Sequence, residues 1–265
     1  MYNFEYAKPH SLHDVAALTN DDSVFLAGGQ TIIPTLKQRL ASPGSVIDLA
    51  NVPELRGLHL QEGALGIGAM TRHVDVEQSA DVQKAIPALA ELAKGIGDPQ
   101  VRHRGTIGGS VANHDPAADY PAALLALGAV IMTNKRQHAA DDFFTGIFST
   151  ALEPGELITS IGLPIPDQAA YAKLEQRASR YALVGVFVAK SGSDVRVGVS
   201  GAGADGAFRC TELEHALTAN FTPDAAKAVK LSAGGMLGDL HGSAEYRAAM
   251  IPVMASRAVA TALSR

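Results

Sequence analysis

The chain has a single cysteine, Cys210, and this scarcity excludes several kinds of site. One thiol forms no internal disulfide framework, no multi-cysteine zinc site and no cysteine-ligated iron–sulfur cluster within the chain. Long apolar runs are also lacking, since the longest, residues 121–132, is too short to cross a bilayer. The first residues show no cationic segment followed by an apolar run, which argues against a signal peptide. We therefore expect a soluble protein of the cytoplasm with no transmembrane segment.

Basic charge is scarce as well. The 265 residues include 22 Lys and Arg against 27 Asp and Glu, which gives a net charge of −5. A nucleic-acid-binding protein needs clustered basic residues that neutralise phosphates, so the composition argues against this class. A single buried anionic ligand held by backbone amides stays compatible with this balance, because such a ligand depends on local geometry rather than on net charge.

The order of the predicted elements divides the chain into two domains. Strand-like and helix-like segments alternate in the first part, whereas a run of strands precedes a run of helices in the second, as is typical of a separate α+β domain. The pair Pro164 and Pro166 predicts the linker between them. The predicted divisions are an N-terminal domain of residues 1–165, with subdomains of about 1–52 and 53–165, and a C-terminal domain of residues 166–265.

Hydrophobic periodicity and turn residues predict the individual elements. Ser11 is expected to cap the first helix, and residues 58–68 are expected to form a hairpin. The other predicted strands are residues 24–26, 46–49, 129–133, 157–163, 171–176, 182–189 and 195–200. The other predicted helices are residues 33–40, 81–94, 117–127, 212–217, 223–231 and 244–265.

Two segments share one plan, in which an apolar run is followed by two glycines and then by polar residues. They are residues 28–31, Gly-Gly-Gln-Thr, and residues 108–110, Gly-Gly-Ser. Adjacent glycines permit positive φ angles, so that consecutive amide groups turn towards one concave side and bind phosphate oxygens. Two such nests brought together suit a diphosphate. Each segment taken alone is more typical of a tight turn without a ligand.

Two other patterns carry weaker signals. Residues 201–206, Gly-Ala-Gly-Ala-Asp-Gly, match the dinucleotide pattern G-x-G-x-x-G of a nicotinamide-dependent dehydrogenase, but no helix is predicted at the third glycine. His114, Asp115 and Asp119 suggest a metal site, or with Ser110 a hydrolase triad. No second histidine lies at ligand spacing and no G-x-S-x-G elbow surrounds the serine, so a turn and a helix start are the simpler interpretation.

Several motifs occur in a fixed order along the chain. They are residues 27–31 (Ala-Gly-Gly-Gln-Thr), 104–110 (Arg-Gly-Thr-Ile-Gly-Gly-Ser), 115–119 (Asp-Pro-Ala-Ala-Asp), 153–158 (Glu-Pro-Gly-Glu-Leu-Ile) and 171–177. Together they resemble the FAD-binding medium subunit of the molybdenum hydroxylases, the xanthine dehydrogenase and carbon monoxide dehydrogenase family, over essentially the whole chain. The resemblance implies an α+β fold, in which two α/β subdomains form a PCMH-type FAD-binding domain. A C-terminal α+β domain follows, with a three-stranded antiparallel sheet and helices.

The resemblance also implies which residues bind FAD. Residues 28–32 and 106–110 would contact the diphosphate mostly through backbone amides, and Asp119 would lie near the adenosine ribose. Leu157 and Ile158 would pack beside the isoalloxazine, with Lys173 near its polar edge. The complete implied set is Ala27, Gly28, Gly29, Gln30, Thr31, Ile32, Thr106, Ile107, Gly108, Gly109, Ser110, Asn113, Asp119, Leu157, Ile158 and Lys173. No catalytic residue and no metal ligand is implied in this chain.

The function that the resemblance implies is electron transfer. The chain would be the FAD-binding subunit of a heterotrimeric molybdenum-containing hydroxylase or dehydrogenase, and a dimer of such heterotrimers is expected. Electrons would come from iron–sulfur clusters of a small subunit, a large subunit would hold molybdopterin, and FAD would pass the electrons to an external acceptor. The alternatives are a self-sufficient flavin oxidoreductase with its own substrate pocket and a non-catalytic partner-binding subunit of the same fold.

Overall fold

The computed structural model describes residues 1–61 and 63–265, and its first layer is a small parallel sheet. The elements of this layer are β1 (Glu5–Ala7), α1 (Leu12–Leu18), β2 (Ser23–Leu26), α2 (Ile32–Lys37) and β3 (Ser45–Asp48). The three strands lie in the order β1-β3-β2 and are all parallel. Ser11 accepts a hydrogen bond from the amide of Asp14 at 3.1 Å, so it caps α1 as predicted. Two 3-10 turns, Leu49–Asn51 and Pro53–Leu55, lead out of the sheet.

A five-stranded antiparallel sheet forms the second layer. The elements of this part are β4 (Leu58–Gln61), β5 (Ala64–Gly68), α3 (His73–Gln78), α4 (Ala80–Ala85), α5 (Pro87–Lys94), α6 (Pro99–Arg102), α7 (Ile107–Asn113), α8 (Tyr120–Leu127), β6 (Val130–Thr133), β7 (Gln137–Ala139), α9 (Ala140–Phe143), β8 (Phe144–Gly146), β9 (Ser149–Thr150) and β10 (Ile158–Pro164). The strand order is β4-β5-β10-β6-β7, and β4 and β5 form the predicted hairpin. Strands β8 and β9 pair separately as a short hairpin.

Proline and turn residues change two of the predicted helices, one by splitting it and one by shifting its start. The helix predicted over residues 81–94 is two helices, α4 and α5, because Pro87 donates no amide hydrogen and disfavours helical backbone at Ile86, whose φ and ψ are −140° and 72°. The helix predicted from residue 117 begins instead at Tyr120. A turn comes first, in which the amide of Ala117 donates to the carboxylate of Asp115 at 2.9 Å.

The last part of the chain is an antiparallel sheet with helices, as predicted. Its elements are β11 (Gln168–Glu175), β12 (Ala182–Ser191), β13 (Asp194–Ser200), β14 (Phe208–Arg209), α10 (Thr211–Ala219), α11 (Pro223–Ala228) and α12 (Ala244–Leu263). The three predicted strands form, and the two-residue strand β14 pairs with β13 and extends the sheet to four strands. Within the described ranges, no helix combines the length and apolar character needed to span a bilayer.

Helix α8 is buried along its whole length and joins the two larger sheets. Every residue of Tyr120–Leu127 is buried, and the helix packs on β10, β12 and β13. At Gly198 of β13, the strand passes so close to the carbonyl oxygen of Ala122 that a Cβ atom would not fit. One continuous core contains α8, strands of the five-stranded sheet and Phe187 of β12. The domain boundary at residue 165 stays a prediction.

Candidate functional site

The two glycine segments meet at one cavity of about 540 Å³. This volume lies within the range of ligand pockets, about 300–1,000 Å³. A Cβ atom on Gly28 would collide with the carbonyl oxygen of Arg104 and would lie 2.7 Å from Gly105 Cα, so the two segments touch at this glycine. A Cβ atom on Gly109 would lie 3.5 Å from that of Ala27. The convergence predicted from the shared plan of the segments is thus confirmed.

Residues 28–32 connect β2 to α2 and present a row of amide groups. Gly29 adopts a φ of 74°, which turns the chain before the helix begins. None of the five amides of residues 28–32 donates a hydrogen bond to the part of the chain that the structure describes. The amide of Ile33 is the next along the chain, and it donates to Gly29 O at 3.3 Å. The segment therefore leaves five consecutive amides without acceptors in the described residues, which is compatible with the predicted nest for an anionic ligand.

Residues 106–110 use their amides internally, so the prediction of a second main-chain nest is wrong. Thr106 caps α7, and the two glycines lie in the first turn of that helix. The four amides of residues 107–110 all donate within the protein, at 2.9 to 3.2 Å. Two of the acceptors are carbonyl oxygens of residues 69 and 71, and the other two are oxygens of Thr106 itself. This segment consequently offers few main-chain donors to a ligand.

The second segment contributes close packing and side chains instead. A Cβ atom on Gly108 would lie 2.6 Å from the Cβ of Ala69, so only glycine lets α7 approach the chain after β5 this closely. Ser110 and Asn113 lie three residues apart on α7, hence on one face of the helix, and both line the cavity. Neither side chain forms a hydrogen bond within residues 1–61 and 63–265, so the hydroxyl and the amide are available to a ligand.

A buried carboxylate organises the loop that brings Leu157 and Ile158 to the cavity. The side chain of Glu156 is inaccessible to solvent and accepts hydrogen bonds from Arg136 Nη2 at 3.0 Å and from the hydroxyl of Thr133 at 2.7 Å. Burial alone would raise the pKa of Glu156, but the hydrogen bonds from Arg136 and its other donors outweigh it and lower the pKa to about 2. The Glu156 carboxylate is therefore ionised at neutral pH and fixes the loop, and Leu157 and Ile158 line the cavity.

Asp119 lies at the cavity wall within a buried polar network. Its Oδ1 accepts a hydrogen bond from the Tyr171 hydroxyl at 2.5 Å and lies 3.0 Å from Lys173 Nζ. Lys173 also donates to Gly95 O at 2.9 Å. Burial raises the pKa of Asp119, whereas the ammonium and the phenol act in the opposite direction. Strand β11 thus reaches across to a residue of the cavity and fixes its side chain.

Fourteen of the predicted site residues line the same cavity. They are Ala27, Gly28, Gly29, Gln30, Thr31, Ile32, Thr106, Gly108, Gly109, Ser110, Asn113, Asp119, Leu157 and Ile158. Ile107 is instead fully buried in the core. Lys173 lies behind Asp119 and is not among the lining residues. The binding role of each residue stays a prediction.

The cavity lining also includes residues that the sequence did not indicate, and three of them are polar or charged side chains considered below. Arg180 and Tyr181 lie between β11 and β12, where the sequence indicated only a connection, and His73 begins α3 without a pattern around it. Arg180 adopts a φ of 62° and donates to Gly97 O at 3.2 Å, so its loop is tied to the chain before α6. The one sequence signal near this loop is the motif over residues 171–177, which ends just before it.

The dinucleotide-like and metal-like patterns have structural roles. Strand β14 rather than a helix follows residues 201–206, and a Cβ atom on Gly201 would lie 2.9 Å from the carbonyl carbon of Leu183. His114 is fully buried, with Nδ1 at 3.0 Å from Ser149 O and Nε2 accepting from the Ala207 amide at 3.3 Å. The described part of the chain contains no group of three or more His, Cys, Asp or Glu residues arranged for a metal ion.

The chemistry of the cavity fits a nucleotide-type cofactor such as FAD. The unpaired amides of residues 28–32, together with Ser110 and Asn113, supply donors for phosphate and hydroxyl oxygens. Leu157 and Ile158 supply an apolar wall for a planar ring system. The fold and the cavity therefore define a protein that binds a large diphosphate-bearing cofactor.

Comparison with known proteins identifies the family. Residues 2–166 match the family model described as the FAD binding domain in molybdopterin dehydrogenase. The chain therefore belongs to this family, and FAD is the cofactor of its N-terminal part. The resemblance drawn from the glycine motifs is confirmed.

Related proteins match over nearly the whole chain. The nicotine 6-hydroxylase medium subunit of Paenarthrobacter nicotinovorans is 36% identical, over 98% of this chain and 97% of that one. The carbon monoxide dehydrogenase medium chain of Hydrogenophaga pseudoflava is also 36% identical, over 99% and 98%. The structure of reconstituted CO dehydrogenase from Oligotropha carboxidovorans superimposes with a TM-score of 0.91 at 34% identity, over 99% and 98%. These relatives confirm the predicted fold and the prediction of an FAD-dependent oxidoreductase subunit.

Proposed function

We propose that the chain is the FAD-binding, electron-transfer subunit of a heterotrimeric molybdenum-containing hydroxylase or dehydrogenase. In this assembly a small subunit with iron–sulfur clusters supplies electrons, a large subunit with molybdopterin oxidises the organic substrate, and an external acceptor takes the electrons from this chain. Similarity to medium subunits along the whole chain supports the proposal. The single cysteine also supports it, because one thiol does not ligate a cluster here. A cytoplasmic dimer of heterotrimers stays a prediction.

The observation that carries the proposal is the row of unpaired amides at the junction of the two glycine segments. In the proposed site, residues 28–32 bind the diphosphate of FAD through their amides, since five adjacent donors lack acceptors in the described part of the chain. Ser110 and Asn113 add side-chain donors from α7. Gly108 and Gly109 keep that helix close enough to take part, because Cβ atoms there would press on neighbouring groups.

FAD, when bound, supplies the redox chemistry, and the residues of this chain position it. Leu157 and Ile158 form an apolar wall that excludes water, and the buried charge of Glu156 fixes the loop that carries them. Asp119, which Lys173 holds in place, offers an acceptor for cofactor hydroxyl groups. No residue of this chain is proposed as a general base, because the organic substrate is oxidised in another subunit of the proposed complex.

Gly29 and Gly235 provide a matched pair of variants for testing the site. Their φ angles are 74° and 80°, so an alanine is strained to a similar degree at both positions. At Gly29 the new Cβ atom would lie 2.6 Å from Ile33 Cδ1, next to the unpaired amides, whereas at Gly235 it would meet nothing within 4 Å. A difference in FAD binding between the two variants therefore reports on the nest and not on general backbone strain.

The experiment is a visible absorption spectrum of the purified full-length chain, followed by denaturation and chromatographic identification of the released flavin. We expect FAD in the wild type and in Gly235→Ala, and an affinity for FAD at least about tenfold weaker in Gly29→Ala, as the loss of one well-placed hydrogen bond to an anion predicts. A wild-type chain that neither contains FAD nor takes it up would contradict the proposal. Co-expression with the two partner subunits and size-exclusion chromatography test the heterotrimer separately.

A further inference from the structure

His73 lies at the place where the two glycine segments touch. Its amide donates to Gly105 O at 2.9 Å, so the start of α3 is fixed to the second segment. The imidazole lies against Gly105, where a Cβ atom would be only 2.5 Å from Nε2. Gly105 in turn contacts Gly28, the first residue of the unpaired amide row. The ring is therefore the next group of the cavity wall beside the row of donors in residues 28–32.

Among residues 1–61 and 63–265, nothing forms a hydrogen bond with the imidazole of His73. The residue is only 5% exposed, and Nδ1 is shut off from solvent without a partner in the described part of the chain. Nε2 forms no hydrogen bond there either, and the missing side chain of Gly105 is what leaves this nitrogen uncovered. Nε2, unlike Nδ1, is not shut off from solvent, so it is the ring nitrogen that a ligand in the cavity can reach and whose hydrogen bond such a ligand would complete.

The ring is uncharged at neutral pH. Burial is the main cause and the nearby Arg102 guanidinium the second, and together they lower the pKa of His73 to about 4. Arg102 itself is paired with Glu77 at 2.8 Å, so its charge is already engaged. A neutral imidazole carries one N–H donor and one acceptor. Because Nε2 is the ring nitrogen that a ligand can reach, the tautomer protonated at Nε2 is the one that offers a donor at the cavity.

We propose that His73 is a cofactor-contacting residue whose Nε2–H donates a hydrogen bond to a diphosphate oxygen of bound FAD. The inference rests on the proposed function and adds a donor from α3 to those of residues 28–32. Its contribution is a directed hydrogen bond rather than a charge. Gly105 leaves Nε2 uncovered, and no other group in the described residues bonds to this nitrogen.

The test compares variants of the full-length chain after its flavin has been removed. His73→Leu deletes the donor, while His73→Gln keeps an amide N–H near the position of Nε2. Tyr120→Phe is the matched control, because this tyrosine lies 5.5 Å from the His73 ring and also has a buried, unpartnered polar atom, but does not line the cavity. Dissociation constants are measured for FAD, by flavin fluorescence, and for ADP, as a competitor that carries the diphosphate without the flavin.

We expect His73→Leu to weaken both FAD and ADP by about tenfold, the usual effect of one lost hydrogen bond to a charged group. The dissociation constants of His73→Gln should stay within about threefold of the wild-type values, and those of Tyr120→Phe should equal the wild-type values. Should His73→Leu fail to fold, His73→Asn gives the same comparison, because its shorter side chain does not reach the position of Nε2.

Equal affinity of the wild type and His73→Leu for FAD would overturn the assignment of His73, as would a loss confined to FAD with ADP unaffected. Both results would leave the proposed function intact, since the wild type would still bind FAD. Absence of FAD binding by the wild type would instead contradict the proposed function itself. The two failures are therefore distinguishable in one set of titrations.

Discussion

Replacing Lys173 with methionine removes the cation that faces the buried carboxylate of Asp119. The two groups are 3.0 Å apart, and their side chains are 9% and 6% exposed. Removing one partner of a buried ion pair costs about 3–5 kcal/mol when the remaining group stays ionised. Tyr171 still donates to the carboxylate at 2.5 Å. We therefore expect the free energy of unfolding of Lys173→Met at pH 8 to be about 3 kcal/mol lower than that of the wild type, near the lower end of this range.

The loss should depend on pH in one direction. Burial already raises the pKa of Asp119, and removal of the ammonium raises it further. A carboxyl group whose folded pKa exceeds its unfolded value, about 4, binds more protons in the folded state. Its contribution to stability is therefore greatest below the unfolded pKa and decreases as pH rises through the folded pKa. The variant should lie closest to the wild type at pH 5 and furthest from it at pH 8.

The assay is urea unfolding of the flavin-free chain at pH 5, 6, 7 and 8, followed by far-UV circular dichroism. Lys135→Met is the control, because this lysine is 43% exposed and lies 3.7 Å from Glu153, and its loss should cost less than about 0.5 kcal/mol. Adding Asp119→Asn to the Lys173→Met chain should restore much of the stability at pH 8. A Lys173→Met chain as stable as the wild type at pH 8, or one with the same loss at every pH, would refute the reasoning.

Three further predictions concern single residues. The pKa of Glu156 is lowered to about 2 from an ordinary value of 4.5, so its charge stabilises the fold above pH 4.5 and this stability is lost as pH falls towards 2. Glu156→Gln lacks this charge and should be about 2 to 3 kcal/mol less stable at pH 7 in urea unfolding. An unchanged unfolding midpoint would contradict this prediction. Burial raises the pKa of the Cys210 thiol to about 12, so the native chain should not react with a disulfide reagent at pH 8 but the denatured chain should; rapid native reaction would disprove it. Gly108→Ala places a Cβ atom 2.6 Å from that of Ala69 and should cost about 1–3 kcal/mol in thermal unfolding, whereas an unaltered Tm would mean that α7 has room to move.

Most of the fold was predictable because local signals agreed with the final packing. Ser11 caps α1 as its position before an apolar stripe indicated, and β4 and β5 pair in antiparallel fashion as the predicted hairpin. The sequence also contains a signal for the split at Pro87, which the helix predicted over residues 81–94 overlooked, since proline removes a helical hydrogen bond and restricts the backbone of Ile86. Strand β14 carried no such signal, because two residues are too few to show a period of two.

The candidate site was predictable in its position but only partly in its chemistry. The shared plan of residues 28–31 and 108–110 correctly indicated that both segments meet at one cavity. The use of the second segment's amides was not predictable, because their acceptors include carbonyl oxygens at residues 69 and 71, some forty residues earlier. His73 was missed for a similar reason, since only tertiary packing sets a lone histidine against Gly105. The family resemblance supplied Asp119, whose partners Tyr171 and Lys173 come from a distant strand.

The wholly buried helix α8 makes the predicted linker at Pro164 and Pro166 a poor place to cut the chain. Its residues are shielded on one side by strands that lie beyond the linker, with Gly198 pressed against the Ala122 carbonyl. A fragment ending at residue 166, although it coincides with the family match, would present this helix to water as a contiguous apolar patch. We therefore expect the cofactor-binding part and the C-terminal sheet to depend on each other for stable expression, and grafting either part elsewhere to require a replacement for the covering surface it loses.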